Sequence, residues 1–168
     1  TDQFIHFILN CSFKPGFLFF NFCINSRSHR LRNLGFQSAH DETLRRINRG
    51  HDFSAYAATV ARAHHHGIPV CTHLIVGLPG ESAAMCRETH AKVLDLGLAG
   101  LKLHPLMIVA GSSMAAEYSR GELLPLPIDD YAAIAAELIR HTPPDVVFHR
   151  VTATAREPTL IAPAWCHT

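Results

Sequence analysis

Residues 69–105 read PVCTHLIVGLPGESAAMCRETHAKVLDLGLAGLKLHP, and this stretch decides the fold class. PVCTHLIVG is almost continuously apolar and rich in β-branched residues, the composition of a buried strand, and Leu78-Pro79-Gly80 closes it. Ser82 opens SAAMCRETHAKVLDLG as a helix, and Gly97 stops it. GLKLHPLMIV then resumes as a second strand over residues 100–109. Strand, turn, helix and strand in this order form the repeating unit of a parallel sheet.

The same rhythm extends in both directions. Upstream, LRNLGFQS (31–38) is a short strand ending at Gln37-Ser38. DETLRRIN is a short helical segment that Ser38 or Asp41 could cap, with Gly50 ending it. DFSAYAATVARAHHHG is a full helix with Asp52 as N-cap and Gly67 just past its end. Downstream, AGSSMAAEYSRG is a loop with a short helix. Asp129 or Asp130 starts the helix IDDYAAIAAELIRH, and Pro143-Pro144 ends it. DVVFHRV is the last strand, followed by an irregular tail. Only about four such units fit, whereas a closed eight-stranded barrel takes about 250 residues. The expected fold is α/β, a partial (β/α) barrel or open sheet with about four parallel strands and covering helices.

Composition divides the chain near residue 30. Residues 1–30 hold Phe4, Phe7, Phe13, Phe17, Phe19, Phe20 and Phe22, and no acid stands between Asp2 and Asp41. This Phe-rich segment shows no clear period and reads as short strands, a buried helix or non-native coding sequence from a shifted frame. Residues 31–168 form the regular domain. Hydrophobic residues make up 48% of the 168 and charged residues 17%, with a formal net charge of +1, so no global field points to nucleic acid or an acidic membrane. The five cysteines, at 11, 23, 71, 86 and 166, are odd in number and lack CxxC spacing, which argues against a disulfide framework or a zinc ribbon. No apolar run reaches the roughly 18 residues that span a bilayer, and the N-terminus lacks the basic flank and cleavage site of a secretory signal. A reducing, cytoplasmic location is expected.

In parallel α/β folds chemistry gathers at the carboxyl ends of the strands. That rule selects Gln37, Ser38, the Gly77–Glu81 turn, His104 to Met107, and His149-Arg150 as the rim. Gln37 and Ser38 offer amide and hydroxyl groups suited to a ribose or an amino-acid carboxylate. Gly77 and Gly80 make a turn against which a flat ligand could lie, although in isolation an ordinary strand-to-helix turn is the better explanation. The motif lacks the spacing and lysine of a phosphate cradle. Alternation places Cys71, His73 and Ile75 on one strand face and Lys102 with His104 on the next. His73, Lys102, His149 and Arg150 are therefore candidates for a polar substrate pocket, with structural histidines satisfied within the fold as the alternative, and no metal site is expected. His64-His65-His66 sits at a helix C-terminus, where cationic rings meet the dipole favourably.

LGFQSAHDETLRRINRGHD, VCTHLIVGLPGE, GLKLHPLMIVAGSSMA, PPDVVFHRVT and IAPAWC, in this order, resemble the radical S-adenosylmethionine proteins. They look most like the YhcC-like subfamily, relatives of the elongator-type radical enzymes. The resemblance runs from about Leu31 to Cys166 and implies the fourth to sixth units of a partial (β/α)6 barrel, the C-terminal portion of the family's core domain. It implies S-adenosylmethionine as small-molecule cofactor, with Gln37 and Ser38 at its methionine or ribose part. Ile75, Val76, Gly77 and Leu78 would flank the adenine, and His104, Pro105 and Leu106 would meet it from the next strand. It also implies a [4Fe–4S] cluster, yet the family's CxxxCxxC loop is absent from the sequence, so the cluster is not expected on these residues. Asn33 stands where relatives often carry an acid. Two functions follow. In one, the chain is part of a radical enzyme acting on RNA or a small metabolite, inactive until the missing half or a partner chain supplies the cluster. In the other, it is a non-catalytic α/β module for an adenine-containing ligand or a partner. Loss of the earlier strands would expose the edge of LRNLGFQS, for which the N-terminal phenylalanines are candidate cover.

Overall fold

The computed structural model describes residues 20–21 and 31–167. Apart from Phe20–Asn21, the Phe-rich segment 1–30 lies outside the described residues, and with it Cys11 and Cys23. The elements in chain order are β1 (Phe20–Asn21), β2 (Arg32–Gln37), α1 (Asp41–Arg46), α2 (Phe53–His65), β3 (Val70–Val76), α3 (Ala83–Leu94), β4 (Gly100–Pro105), β5 (Ile108–Val109), α4 (Ser113–Ser119), α5 (Ile128–Arg140), β6 (Val147–Arg150) and β7 (Leu160–Ala162). The main sheet has the order β1-β2-β3-β4-β6. Strands β2, β3, β4 and β6 are parallel, as the βα rhythm requires. The two-residue β1 runs antiparallel along β2, opposite Leu34 and Asn33, and so meets part of the edge expected to be exposed.

The sheet has two chemically different faces because side chains alternate along each strand. Leu34 and Phe36 of β2, Val70, Leu74 and Val76 of β3, and Leu101 and Leu103 of β4 turn to one side. There they pack with Tyr56 and Val60 of α2, Cys86 and Val93 of α3, and Tyr131, Ala135 and Leu138 of α5. Phe36 is fully buried, its ring stacked on Tyr56 at 4.0 Å between centroids and flanked by Phe53 at 5.7 Å. The Tyr56 hydroxyl is hydrogen-bonded to Thr72 of β3, so α2 is tied to the sheet by a polar as well as an apolar contact. The other face carries Asn33, Gly35 and Gln37, then Cys71, His73 and Ile75, then Gly100, Lys102 and His104.

Helix starts follow local chemistry, with two departures from expectation. Asp52 Oδ1 accepts from the Ala55 N–H at 2.7 Å and Ser82 Oγ from Met85 at 3.3 Å, both as foreseen. The short α1 is capped by neither Ser38 nor Asp41. Its N-cap is His40, without a side-chain bond. Asp41 Oδ1 instead accepts from the Phe53 N–H at 2.9 Å, which supports the start of α2. Nor does Gly50 end α1; it stops at Arg46, and Asn48 turns the chain with a φ of 54°. Helix α5 begins one residue before the expected cap: Pro127 holds the N-cap position and both aspartates sit in the first turn, where the helix dipole favours them.

The larger corrections concern the C-terminal side. GLKLHPLMIV is not one strand, since β4 ends at Pro105 and Ile108–Val109 leave the main sheet. Nor is the tail irregular throughout. Leu160–Ala162 pairs antiparallel with Ile108–Val109, and a 3-10 turn follows at Ala164–Cys166. Leu78, Leu106, Ile108, Leu123 and Ala162 form a second apolar cluster over the strand ends. Trp165 packs 5.3 Å from Tyr131 and donates its Nε1–H to the Leu126 carbonyl at 3.1 Å, fastening the C-terminal turn to the segment before α5. Among the described residues no helix is long and apolar enough to cross a membrane.

Candidate functional site

A cavity of about 150 Å³ opens at the carboxyl ends of β2, β3 and β4. Gln37, His73, Ile75, Leu78, His104, Pro105 and Leu106 line it, together with Arg46 at the end of α1, Ile47, Asn48 and Arg49 after it, and Met107, Val109 and Met114 after β4. Its walls are thus mainly apolar with a few polar groups, the usual construction of a small-molecule site. None of the residues that line it is an aspartate or glutamate.

Gln37 is the strained element of this wall. Its φ is 78°, a left-handed conformation unusual for a residue with a Cβ, at a register shift between β2 and β3. The residue is 1% exposed, yet neither amide atom has a hydrogen-bond partner among the described residues. A buried amide in that state loses the solvation it had in water. Strain and an unpartnered polar group at one residue in a cavity wall are the marks of a ligand-binding position.

Ser38, the next residue, is occupied otherwise. It is fully buried, donates its hydroxyl hydrogen to the Glu81 carboxylate and accepts from the His40 N–H at 3.0 Å. The partner lies in a turn closed by the Glu81 N–H on Leu78 O at 3.0 Å, with Pro79 in its second position and Gly80 at a φ of 83° in its third. That residue pattern is the one a type II turn demands. Ser38 and Glu81 therefore join the end of β2 to the turn after β3, and the pair positions Gln37 and Leu78 in the wall. Val76 and Gly77 face elsewhere. Val76 lies in the main core, and a Cβ at Gly77 would come 2.9 Å from Leu126.

Histidines 73 and 104 stack with centroids 5.6 Å apart and planes inclined by 17°. His73 Nε2 lies 3.4 Å from Asn33 Oδ1. Burial first, then the neighbouring His104, Lys102, Arg150 and Arg49, push the His73 pKa down to about 2. Burial, then Arg150 and Lys102, bring His104 down to about 3. Both rings are neutral at ordinary pH. Lys102 and Arg150 share the rung of His73, and neither they nor His149 belong to the cavity wall. Gly100 leaves room for His149 to lie across β4, since a Cβ there would come within 2.7 Å of the imidazole.

Among the described residues the thiols do not form a cluster site. Cys71, Cys86 and Cys166 are buried on separate elements, and burial raises each pKa to about 11, away from the thiolate that iron requires. No group of three metal-ligating side chains occurs among the described residues. Sequence reasoning had singled out eight residues of the cavity wall, Met107 among them. It passed over Arg46, Asn48 and Arg49, although INRGH contains two of them, and Val109 and Met114, whose place depends on the β5–β7 pairing.

Residues 30–93 match the model of the Radical SAM superfamily, and residues 98–168 match that of the Radical_SAM C-terminal domain. Protein YhcC of Escherichia coli K12 is 55% identical over 133 residues, covering 79% of this chain and 43% of YhcC. Protein YtqA of Bacillus subtilis 168 is 37% identical over 142 residues, 84% of this chain and 44% of YtqA. The structure of an archaeal Methanocaldococcus infernus Elp3 lacking residues 1–46 superimposes with a TM-score of 0.71 at 22% identity, over 77% of this chain and 31% of that one. This last likeness concerns the fold. The chain spans less than half the length of the curated relatives it matches, and it belongs to the radical S-adenosylmethionine superfamily as a relative of YhcC and YtqA.

Proposed function

We propose that the cavity at the strand ends holds the nucleoside part of S-adenosylmethionine, and that the chain is the C-terminal part of a radical enzyme whose [4Fe–4S] cluster is bound by residues outside 31–167. The observation that carries this reading is Gln37, a buried amide with no partner among the described residues, held in a left-handed conformation at the cavity wall. An amide of this kind can both donate to and accept from a nucleoside edge or ribose hydroxyl. Ile75, Leu78 and Leu106 supply apolar surface for a flat base, and Ser38 and Glu81 hold the wall in place. With its cluster, S-adenosylmethionine supplies one-electron chemistry. The residues described here bind, orient and exclude water. The described thiols do not fit the cluster, so no step is assigned to it on this chain.

Calorimetric titration with adenosine and with S-adenosylmethionine tests the reading. Saturable binding is expected for both, weakened about tenfold or more, roughly 1.4 kcal/mol, in Gln37→Ala. No binding by the folded chain, or equal binding by the variant, would remove the nucleoside from this cavity.

A further inference from the structure

Helix α4 is the one helix among the described residues that buries none of its residues, whereas α1, α2, α3 and α5 each bury several. Its Met114, Ala115 and Tyr118 rest, partly buried, on the second apolar cluster over the strand ends. Few buried contacts mark a segment of low local stability. The chain on either side is firmly placed. Ile108 and Val109 are buried in the β5–β7 pair before it, the Ala110 N–H donates to the Thr159 carbonyl at 2.8 Å, and Leu123 is buried after it. Between these anchors and α4 stand Gly111 and Gly121, with φ of 79° and 73° and open space where a Cβ would project. A glycine at each end of a weakly buried helix can absorb a backbone rotation there.

The same helix borders the cavity. Ser112, Ser113 and Met114 line it from one side, and Arg46 to Arg49 from the other. Glu117 follows Ser113 by one turn and so shares its helix face. Its Oε2 accepts from Arg46 Nη2 at 3.1 Å, which joins the two walls. The Arg46 and Glu117 side chains are 52% and 29% exposed, so the pair sits at the rim rather than inside. An exposed ion pair is weak and screened by salt, and it can hold such a helix yet release it readily. We propose that α4 is a hinged lid on the cavity, latched by the Arg46–Glu117 ion pair, and that the latch sets how fast the ligand enters and leaves. The inference rests on the reading that the cavity holds the cofactor nucleoside, and it adds how access to that site is controlled. Opening turns α4 about Gly111 and Gly121 and lifts Met114 from the wall, while Gln37 and Ile75 stay in place on the sheet. A lid closed both before and after binding slows both directions alike. Its release therefore speeds entry and exit together and leaves the dissociation constant nearly unchanged. Loss of a direct ligand contact instead raises the exit rate and the dissociation constant together.

The test uses the 168-residue chain, Arg46→Gln, Glu117→Gln, and the exchanged pair Arg46→Glu with Glu117→Arg. Arg87→Gln is the control, since Arg87 and Glu137 form an ion pair of the same 3.1 Å and similar exposure between α3 and α5. Millisecond amide hydrogen exchange over residues 111–122, without ligand, reads the lid directly. At low ionic strength Arg46→Gln and Glu117→Gln are expected to exchange about threefold faster there. The exchanged pair should return to the parent rate, Arg87→Gln should keep it, and added salt should erase the difference. Line shapes of the adenosine H2 and H8 signals give the entry and exit rates, which should rise by a similar factor in the same two variants. Unchanged hydrogen exchange in both variants, with their circular dichroism intact, overturns the lid. So does a rise in the exit rate alone, which would make the pair a ligand contact, and so do unchanged adenosine rates despite faster hydrogen exchange. Faster hydrogen exchange in a chain that binds no adenosine defeats the nucleoside reading and leaves the lid standing.

Discussion

Acidification from about pH 8 to about pH 5 is expected to destabilise the chain by about 4 kcal/mol through His73 and His104 alone, given their folded pKa values of about 2 and about 3. The sign follows from proton counting. Unfolded imidazoles titrate near 6.5, so below that pH the unfolded chain takes up two protons that the folded chain refuses, and stability falls as pH falls. The loss continues until the folded-state values are reached. His51, brought down to about 4 by burial and by Arg49, adds in the same direction. Urea midpoints measured across this range should drop steadily, and His104→Gln should flatten the slope by close to one proton. A midpoint independent of pH between 8 and 5 would show that the two rings are hydrated or paired with acid in the folded chain.

Phe36→Ala is expected to cost about 3–5 kcal/mol, a large share of the roughly 5–15 kcal/mol that stabilises a domain. The ring is fully buried and has aromatic neighbours on several sides, with Tyr56 stacked on it. Its removal leaves a cavity between β2 and α2 and loosens Tyr56, whose hydroxyl reaches Thr72. The effect should extend to the site, because Phe36 anchors the backbone just before the strained Gln37. Denaturant unfolding should show a large fall in midpoint, and adenosine affinity should fall with it even in conditions where the variant remains folded. A loss below about 1 kcal/mol would mean that the α2–β2 contact contributes little.

The parts of this molecule legible in its sequence are those governed by near neighbours. Asp52, Ser82, Gly67 and Gly97 act on groups within a turn of themselves, and alternation along β3 and β4 fixes which residues share a face. Gln37 was singled out because strand ends collect ligands, although its strain and missing partners arise from the register shift against β3. The larger departures involve distant partners. Ser38 looked like a cap or a ligand group until Glu81, 43 residues away, claimed its hydroxyl. The break after Pro105 was hidden because Leu106 to Val109 are as apolar as a continuing strand, and their true partner, Leu160–Ala162, lies more than fifty residues downstream. The pairing of Arg150 with Lys102 also escaped notice, since the bulge that brings them opposite has no signature in DVVFHRV.

The seat of Trp165 gives the chain a native optical gauge. The sequence contains one tryptophan, so its long-wavelength emission comes from a single junction, the C-terminal turn against Tyr131 and Leu126. That turn follows directly on β7, which holds Ile108–Val109 beside the cavity. A red shift that precedes the loss of helical circular dichroism would time the detachment of this wall from an otherwise intact sheet, a local opening below the global one. Coincident transitions would instead mean that the wall and the sheet melt as one cooperative unit, and that ligand release needs no partial unfolding at this end.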